Sequence, residues 1–293
     1  MQPMHQMSFS EKLGQVVIYL LLIMIAVVTL FPFLYVISIS MTTEAEVIRR
    51  GIVIIPQHIT MKAYQTVFSG NMGIGHAYEI TLFRTIVGGL LNLLFTVIAA
   101  YVLSKKALPA RSAILLFIIF TMLFSGGLIP TYIVIRSLHI TNTIWALIVP
   151  GLISVFNLVV IKGFFEQLPM ELEESAKVDG AGDLKILFGI IIPLSLPAIA
   201  TVGLFYAVGH WNSYFDAIIY INNNALMPLQ VVLRNILLSS QNQQANGEVS
   251  DGSVSTLGIQ MAAVIVSTVP IVCVYPFIQK YFTQGVMIGA VKG

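Results

Sequence analysis

An all-helical membrane protein with six spanning helices is the fold class this sequence predicts, and three observations carry it. The chain of 293 residues is 57% hydrophobic and only 10% charged, with a mean hydropathy of +0.90. A soluble domain carries about 25% charge, so this chain needs lipid as its solvent. Its apolar residues fall into six segments, each near the roughly 20 residues that a helix needs to cross a hydrocarbon core. Its lysines and arginines divide unequally between the ends of those segments, which fixes an orientation.

The spans read as about 14–40, 80–103, 112–136, 142–162, 187–212 and 259–283. The first has no small-residue cleavage site and runs on too long for a signal peptide, so it is expected to remain as a membrane helix. Pro32, Pro130, Pro150, Pro197 and Pro270 lie in or near spans, which is tolerated where neighbours satisfy the freed carbonyls. Gly88-Gly89 and Gly126-Gly127 suit either close helix contact or simple bends, and both readings stand. Two long segments lie between spans. Residues 41–79 carry GIVIIPQHITMKAYQTVF, whose apolar pieces are too short to cross. Residues 213–258 carry ALMPLQVVLRNILL, read as an amphipathic or re-entrant piece, and then QNQQANGEVSDGS, read as a flexible linker.

Lys12, Lys105, Lys106, Arg111, Lys162, Lys177, Lys185, Lys280 and Lys292 share one side; Arg49, Arg50, Lys62, Arg136 and Arg234 share the other. The positive-inside rule makes the first side cytoplasmic. Residues 1–13 and 284–293 are then cytoplasmic ends of one membrane domain over 14–283. A cytoplasmic loop covers about 163–186, and the segments 41–79 and 213–258 face outward.

Several function classes are disfavoured. The net charge of +2 has no basic cluster, which argues against nucleic acid. Cys273 is the single cysteine, so no intrachain disulfide forms. A P-loop needs a Gly-Lys pair to hold phosphate, and the sequence has none. The five histidines are scattered and no H-E-x-x-H occurs, so neither a metal site nor catalysis by this chain is expected.

Six of the thirteen carboxylates nevertheless fall in one loop: Glu166, Glu171, Glu173, Glu174, Asp179 and Asp183. Pro169 suits a helix start, three glutamates in the following turn suit its dipole, and Gly180 suits its end. On that short helix Leu172, Ser175, Ala176 and Asp179 share one side, while Glu171, Glu174 and Lys177 share another. Such a face suits insertion into a partner's groove; a solvated interfacial helix is the plainer reading.

The spacing Glu174-Ser175-Ala176, three residues, Gly180, nine residues, Ile190-x-Ile192-Pro193 resembles the EAA loop of bacterial ABC importer permeases, E-A-A-x-x-x-G-(nine)-I-x-L-P. Asp179-Gly180-Ala181 resembles its D-G-A centre; Ser175 and Ile192 are the departures. The resemblance extends over nearly the whole chain, through PFLYVISISMT, IIPQHITMKAYQTVF, SGGLIPTYIVIRSLHITNTIWALIVPG and GHWNSYFDAIIYINNNALMPLQVVLR. It is to the smaller permease of carbohydrate importers, the maltose-permease type, in the branch of LplC-like and YtcP-like permeases that serve complex oligosaccharides. That resemblance implies the type I ABC importer permease fold in the bacterial cytoplasmic membrane. It implies a second homologous permease as heterodimer partner, two ATPase subunits that bind ATP and Mg, and an extracytoplasmic solute-binding protein that delivers the sugar. This chain would hold no cofactor of its own. Glu174, Ser175, Ala176, Asp179, Gly180, Ala181 and Pro193 would couple it to the ATPase.

A sugar path calls for polar and aromatic groups inside the bundle. His210, Trp211, Asn212, Tyr214 and Asp216 cluster at the outer half of span five, where rings suit stacking on sugars and Asn or Asp suit hydroxyls. An interfacial aromatic belt is the competing reading for Trp211 and Tyr214. Asn157 and Asn92 suit either the path or a tie between helices, the tie being favoured. Tyr132 and Trp145 fit either role. Arg84 is expected to snorkel or pair with Glu79, with attraction of an acidic sugar a lesser reading. An importer of another solute shares the same loop. A secondary transporter would put ion-coupling acids inside spans, which are here nearly free of them.

Overall fold

The computed structural model describes residues 9–69, 73–245 and 256–290. In chain order the helices are α1 (Phe9–Ser40), α2 (Glu44–Arg50), α3 (Lys62–Phe68), α4 (Ile74–Phe83), α5 (Gly89–Ser104), α6 (Arg111–Leu123), α7 (Leu128–Ser137) and α8 (Val155–Phe165). They continue with α9 (Glu171–Val178), α10 (Asp183–Ile186), α11 (Ile192–Leu194), α12 (Leu196–Asn212), α13 (Phe215–Tyr220), α14 (Leu229–Ala245) and α15 (Thr256–Ala290). Among the described residues extended pairing is limited to one bridge, Thr42 with Ile59. Two compact units result: Met1–Asn71 with Ile236–Thr268, and Met72–Asn235 with Val269–Gly293.

In the first unit, α1 is one apolar helix with a mean hydropathy of 2.8, and none of its most apolar stretch is buried within the chain. Its end is tied down: Ser40 Oγ donates to Ile37 O (2.7 Å) and so accepts from the Tyr64 hydroxyl (2.8 Å) on α3. The following loop folds on one carboxylate. Glu46 accepts from the backbone N–H of Gln57 (2.9 Å) and of His58 (3.2 Å) and from Arg50 (2.7 Å). These bonds, chiefly the one from Gln57, hold its carboxyl below the usual carboxylate range. A depressed folded pKa contributes stability above the ordinary carboxylate pKa and loses it as pH falls through the folded value. We therefore expect protease resistance of this loop to fall on acidification below about pH 4.5, and Glu46→Gln to weaken the loop at neutral pH and flatten that dependence.

In the second unit, α4 and α5 form one continuous stretch, Ile74–Ser104, joined by a π turn at Arg84–Gly88. Helix α5 packs on α8 and α12 through Val97, Tyr101, Ile161, Phe165 and Val202, with Ile191 of the turn before α11 joining the same core. Two helices run on beyond the spans read from the sequence. Helix α1 already begins at Phe9, and α15 continues to Ala290 through both Pro270 and Pro276.

Three spans read as continuous are broken. Arg111–Leu123 and Leu128–Ser137 meet at 114°, Ile144–Gly151 and Val155–Phe165 at 50°, and Asp183–Leu194 and Leu196–Asn212 at 86°. Gly127 adopts φ +90, so the Gly126-Gly127 pair serves as a bend. The third break is Ser195, set between Pro193 and Pro197, each of which removes a backbone donor. Gly88 serves close contact instead: a Cβ there would lie 2.9 Å from His210 Nε2. Of the linker QNQQANGEVSDGS, Gln241–Ala245 continue α14 and the remainder lies outside the described residues.

Candidate functional site

Two sites lie in the second unit. At the acidic loop, α9 spans Glu171–Val178, and its end has the geometry that Gly180 suggested. Gly180 sits at φ +78, its N–H donates to Lys177 O (3.0 Å), and the Ala181 N–H donates to Ala176 O (2.9 Å). These two bonds are a Schellman closure with glycine at its left-handed position. Ala176 and Ala181 pack inward against the α5–α8–α12 core, so they fasten the loop to its own chain.

The acids divide into two groups. Glu173 on α9 pairs with Lys105 at the end of α5, and Lys105 Nζ lies 3.7 Å over the Tyr101 ring. Glu166 pairs with Arg111 and with Lys162 (2.8 Å). Asp183 lies 3.7 Å from Lys177. Glu171, Glu174, Ser175 and Asp179 are exposed, beside Val178, which is 88% exposed. Half of the acid cluster therefore anchors the loop internally, and half projects. Pro193 lies beyond the next turn, just before the break at Ser195.

The second site is a cavity of about 480 Å³ lined by Arg84, Asn92, Gly151, Ser154, Asn157, Phe205, Tyr206, His210, Ser213, Asp216 and Tyr220, among others. Of the residues proposed from sequence for the path, His210, Asp216 and Asn157 line it. Trp211 is buried against Tyr78 (ring centroids 6.2 Å apart), Asn212 is exposed with its amide on Val208 O (3.0 Å), and Tyr214 is an exposed N-cap of α13; none of the three is among the lining residues. Asn92 ties α5 to Gly151 O (3.0 Å). Tyr132 stacks on Tyr220 (6.2 Å), which lines the cavity, whereas Trp145 is exposed.

Arg84 departs from its sequence reading. It neither snorkels nor reaches Glu79, which pairs with His76 (3.0 Å). It is 3% exposed and turned inward, where a desolvated guanidinium needs a counter-ion. Asp216 at the start of α13 supplies it, accepting from both terminal nitrogens. Those nitrogens also donate to Leu147 O (3.2 Å) and Ser213 O (3.4 Å), and Nε donates to His210 Nδ1 (3.2 Å). An accepting nitrogen carries no proton, so the His210 ring is neutral.

Other supports had no sequence signal strong enough to single them out. The Tyr206 hydroxyl meets Thr96 Oγ1 (2.7 Å) and accepts from the Ser154 N–H (2.9 Å), joining α12, α5 and the start of α8. Asn142, at φ +58, accepts from the N–H groups of Asn222 (3.0 Å) and Asn223 (2.8 Å). An asparagine before a turn was its one available cue.

Comparisons with known proteins agree with this architecture. Residues 93–288 match the family described as binding-protein-dependent transport system inner membrane component. The chain is 46% identical over 270 residues to Protein LplC of Bacillus subtilis (strain 168), covering 92% of this chain and 91% of that one. It is 43% identical over 286 residues to the polygalacturonan/rhamnogalacturonan transport system permease protein YtcP of the same organism, covering 97% and 100%. Among solved structures it is similar to a chain of a bacterial ABC transporter involved in the import of the acidic polysaccharide alginate. The TM-score is 0.86 at 32% identity, with coverage of 96% and 100%.

Proposed function

Because the chain belongs to the family of binding-protein-dependent transport system inner membrane components and has the all-helical fold of a type I ABC importer permease, we propose that it forms half of a pore for ATP-driven uptake of oligo- or polysaccharide fragments. It works beside a second, homologous permease in the bacterial cytoplasmic membrane, with six spans if each bent pair counts as one, and both termini inside. The relatives' roles in polysaccharide transport support the substrate class. A solute-binding protein delivers the sugar from outside, and two partner ATPase subunits bind ATP and Mg.

The observation that carries this reading is the divided acid cluster. One group holds the loop to its own chain, Glu173 tying α9 to the end of α5 and Glu166, at the end of α8, pairing with Arg111 on α6; the other, Glu171, Glu174 and Asp179 with exposed Val178, is presented outward. A rigidly anchored helix with a free acidic and apolar face is suited to receive a push from a partner and pass it to α5 and α8.

Purification of the tagged subunit from native membranes tests this directly. We expect a second permease and an ATPase to copurify, and a subunit that purifies alone would sink the proposal. Orientation is tested with Cys273→Ser as background. A thiol introduced by Ile55→Cys, at a position 76% exposed, should react with an impermeant reagent in intact cells. One introduced by Val178→Cys should react only after the membrane is opened.

A further inference from the structure

The N–H groups of Arg84 are committed to Asp216, Leu147 O, Ser213 O and His210 Nδ1. A guanidinium has five such donors in a fixed fork, and these contacts use all of them. A sugar carboxylate entering the cavity would find no free donor on the fork. It would have to displace Asp216 from both terminal nitrogens. Asp216 is itself held in place: its Oδ1 accepts from Ser213 Oγ (2.8 Å) and from the Ala217 N–H (2.9 Å). Arg84 and Asp216 are the charged side chains among the described residues lining the cavity, and His210 is neutral, so this wall carries no net charge.

We propose that Asp216 is a specificity residue, an internal counter-ion that masks Arg84 so that this wall takes the hydroxyl faces of a saccharide and does not read its carboxylates. This rests on the reading of the cavity as part of the sugar path. The remaining polar lining suits that role, since Asn157, Ser154 and Tyr206 offer uncharged amide and hydroxyl groups. An acidic polymer would pass with its carboxylates turned away from this subunit.

The test reads local potential in the full complex in lipid nanodiscs, in a Cys273→Ser background. Gly209→Cys places a thiol on the cavity, and a Cβ there meets nothing within 4 Å. Its labelling rates with anionic and cationic methanethiosulfonates of similar size are compared. Asp216→Asn should raise the anionic-to-cationic ratio by on the order of tenfold, because a nearby unit charge acts oppositely on the two reagents. Asp216→Glu should leave the ratio unchanged, and Arg84→Gln with Asp216→Asn should return it. If Asp216→Asn alone does not assemble, Arg84→Gln should shift the ratio the other way by a similar factor. An unshifted ratio, or a thiol that reacts with neither reagent, overturns the proposal. Protection of the thiol by neutral galacto-oligosaccharide should at least equal protection by oligogalacturonate of the same length; stronger protection by the acidic oligomer also overturns it. Protection by neither overturns the path reading instead, a failure distinct from an unshifted ratio.

Discussion

Gly180→Val should remove most substrate-stimulated ATP hydrolysis from the assembled complex while leaving the subunit inserted. Gly180 holds φ +78, and nothing lies within 4 Å of an added Cβ, so the penalty is in the backbone and not in a clash. Placing a side chain in the left-handed region costs about 1–2 kcal/mol, which is a factor of roughly 5–30 in the fraction of correctly closed loops. The order should be Asn mildest, Ala intermediate and Val worst, since asparagine tolerates that region and a β-branched residue does not. Glu174→Lys should uncouple by another route, reversing charge on the projecting face with α9 intact. The measurement is the ratio of ATPase rates with and without loaded binding protein. Normal ratios for both variants would remove this loop from the mechanism.

Arg84→Met should lower the stability of the complex by about 3–5 kcal/mol, the usual cost of leaving one partner of a buried ion pair alone. Leu147 O, Ser213 O and His210 Nδ1 lose a donor in the same step, so four segments loosen together. Arg84→Lys should recover little, because an ammonium cannot reproduce the fork. Removing both charges, in Arg84→Met with Asp216→Asn, should be less destabilising than Arg84→Met alone. Melting temperatures of the wild-type, Arg84→Met, Asp216→Asn and doubly substituted complexes give the coupling directly. Simple additivity would mean that the pair is not the source of the effect.

The sequence displayed the apolar segments because apolar length is a local property, and it displayed the acidic loop because capping is local too: Gly180 and the following Ala181 close α9 within a few residues of each other. The breaks were less legible. Gly126-Gly127 and the prolines around Ser195 were visible, yet each is compatible with a continuous helix if neighbours supply partners. The Arg84–Asp216 pair was invisible because its members are separated by 132 residues, and the near neighbour Glu79 looked equally able to serve. Trp211 and Tyr214 were grouped with His210 by proximity in sequence; Trp211 turns to Tyr78 and Tyr214 lies past the end of α12, so only His210 and Asp216 of that group reach the cavity.

The π turn at Arg84–Gly88 has a consequence for how this span can change over generations. Arg84, Gly88, Asn92, Thr96 and Ala100 recur at every fourth position, and all are buried. In a regular α-helix each four-residue step rotates the face by about 40°, so four steps would drift by about 160°. The wider turn holds one extra residue, worth about 100° in the opposite sense, and brings the run back within a single stripe. It behaves as an insertion that the span has absorbed. Deleting one residue there, such as Ile86, would close the turn to ordinary helix and leave what lies beyond it facing as before, so Asn92 would keep Gly151 and Thr96 would keep Tyr206. The same deletion further along α5 has no wide turn to absorb it and would rotate the rest of the helix by about 100°. Single-residue gaps among functional descendants should therefore fall in this turn and be excluded beyond it.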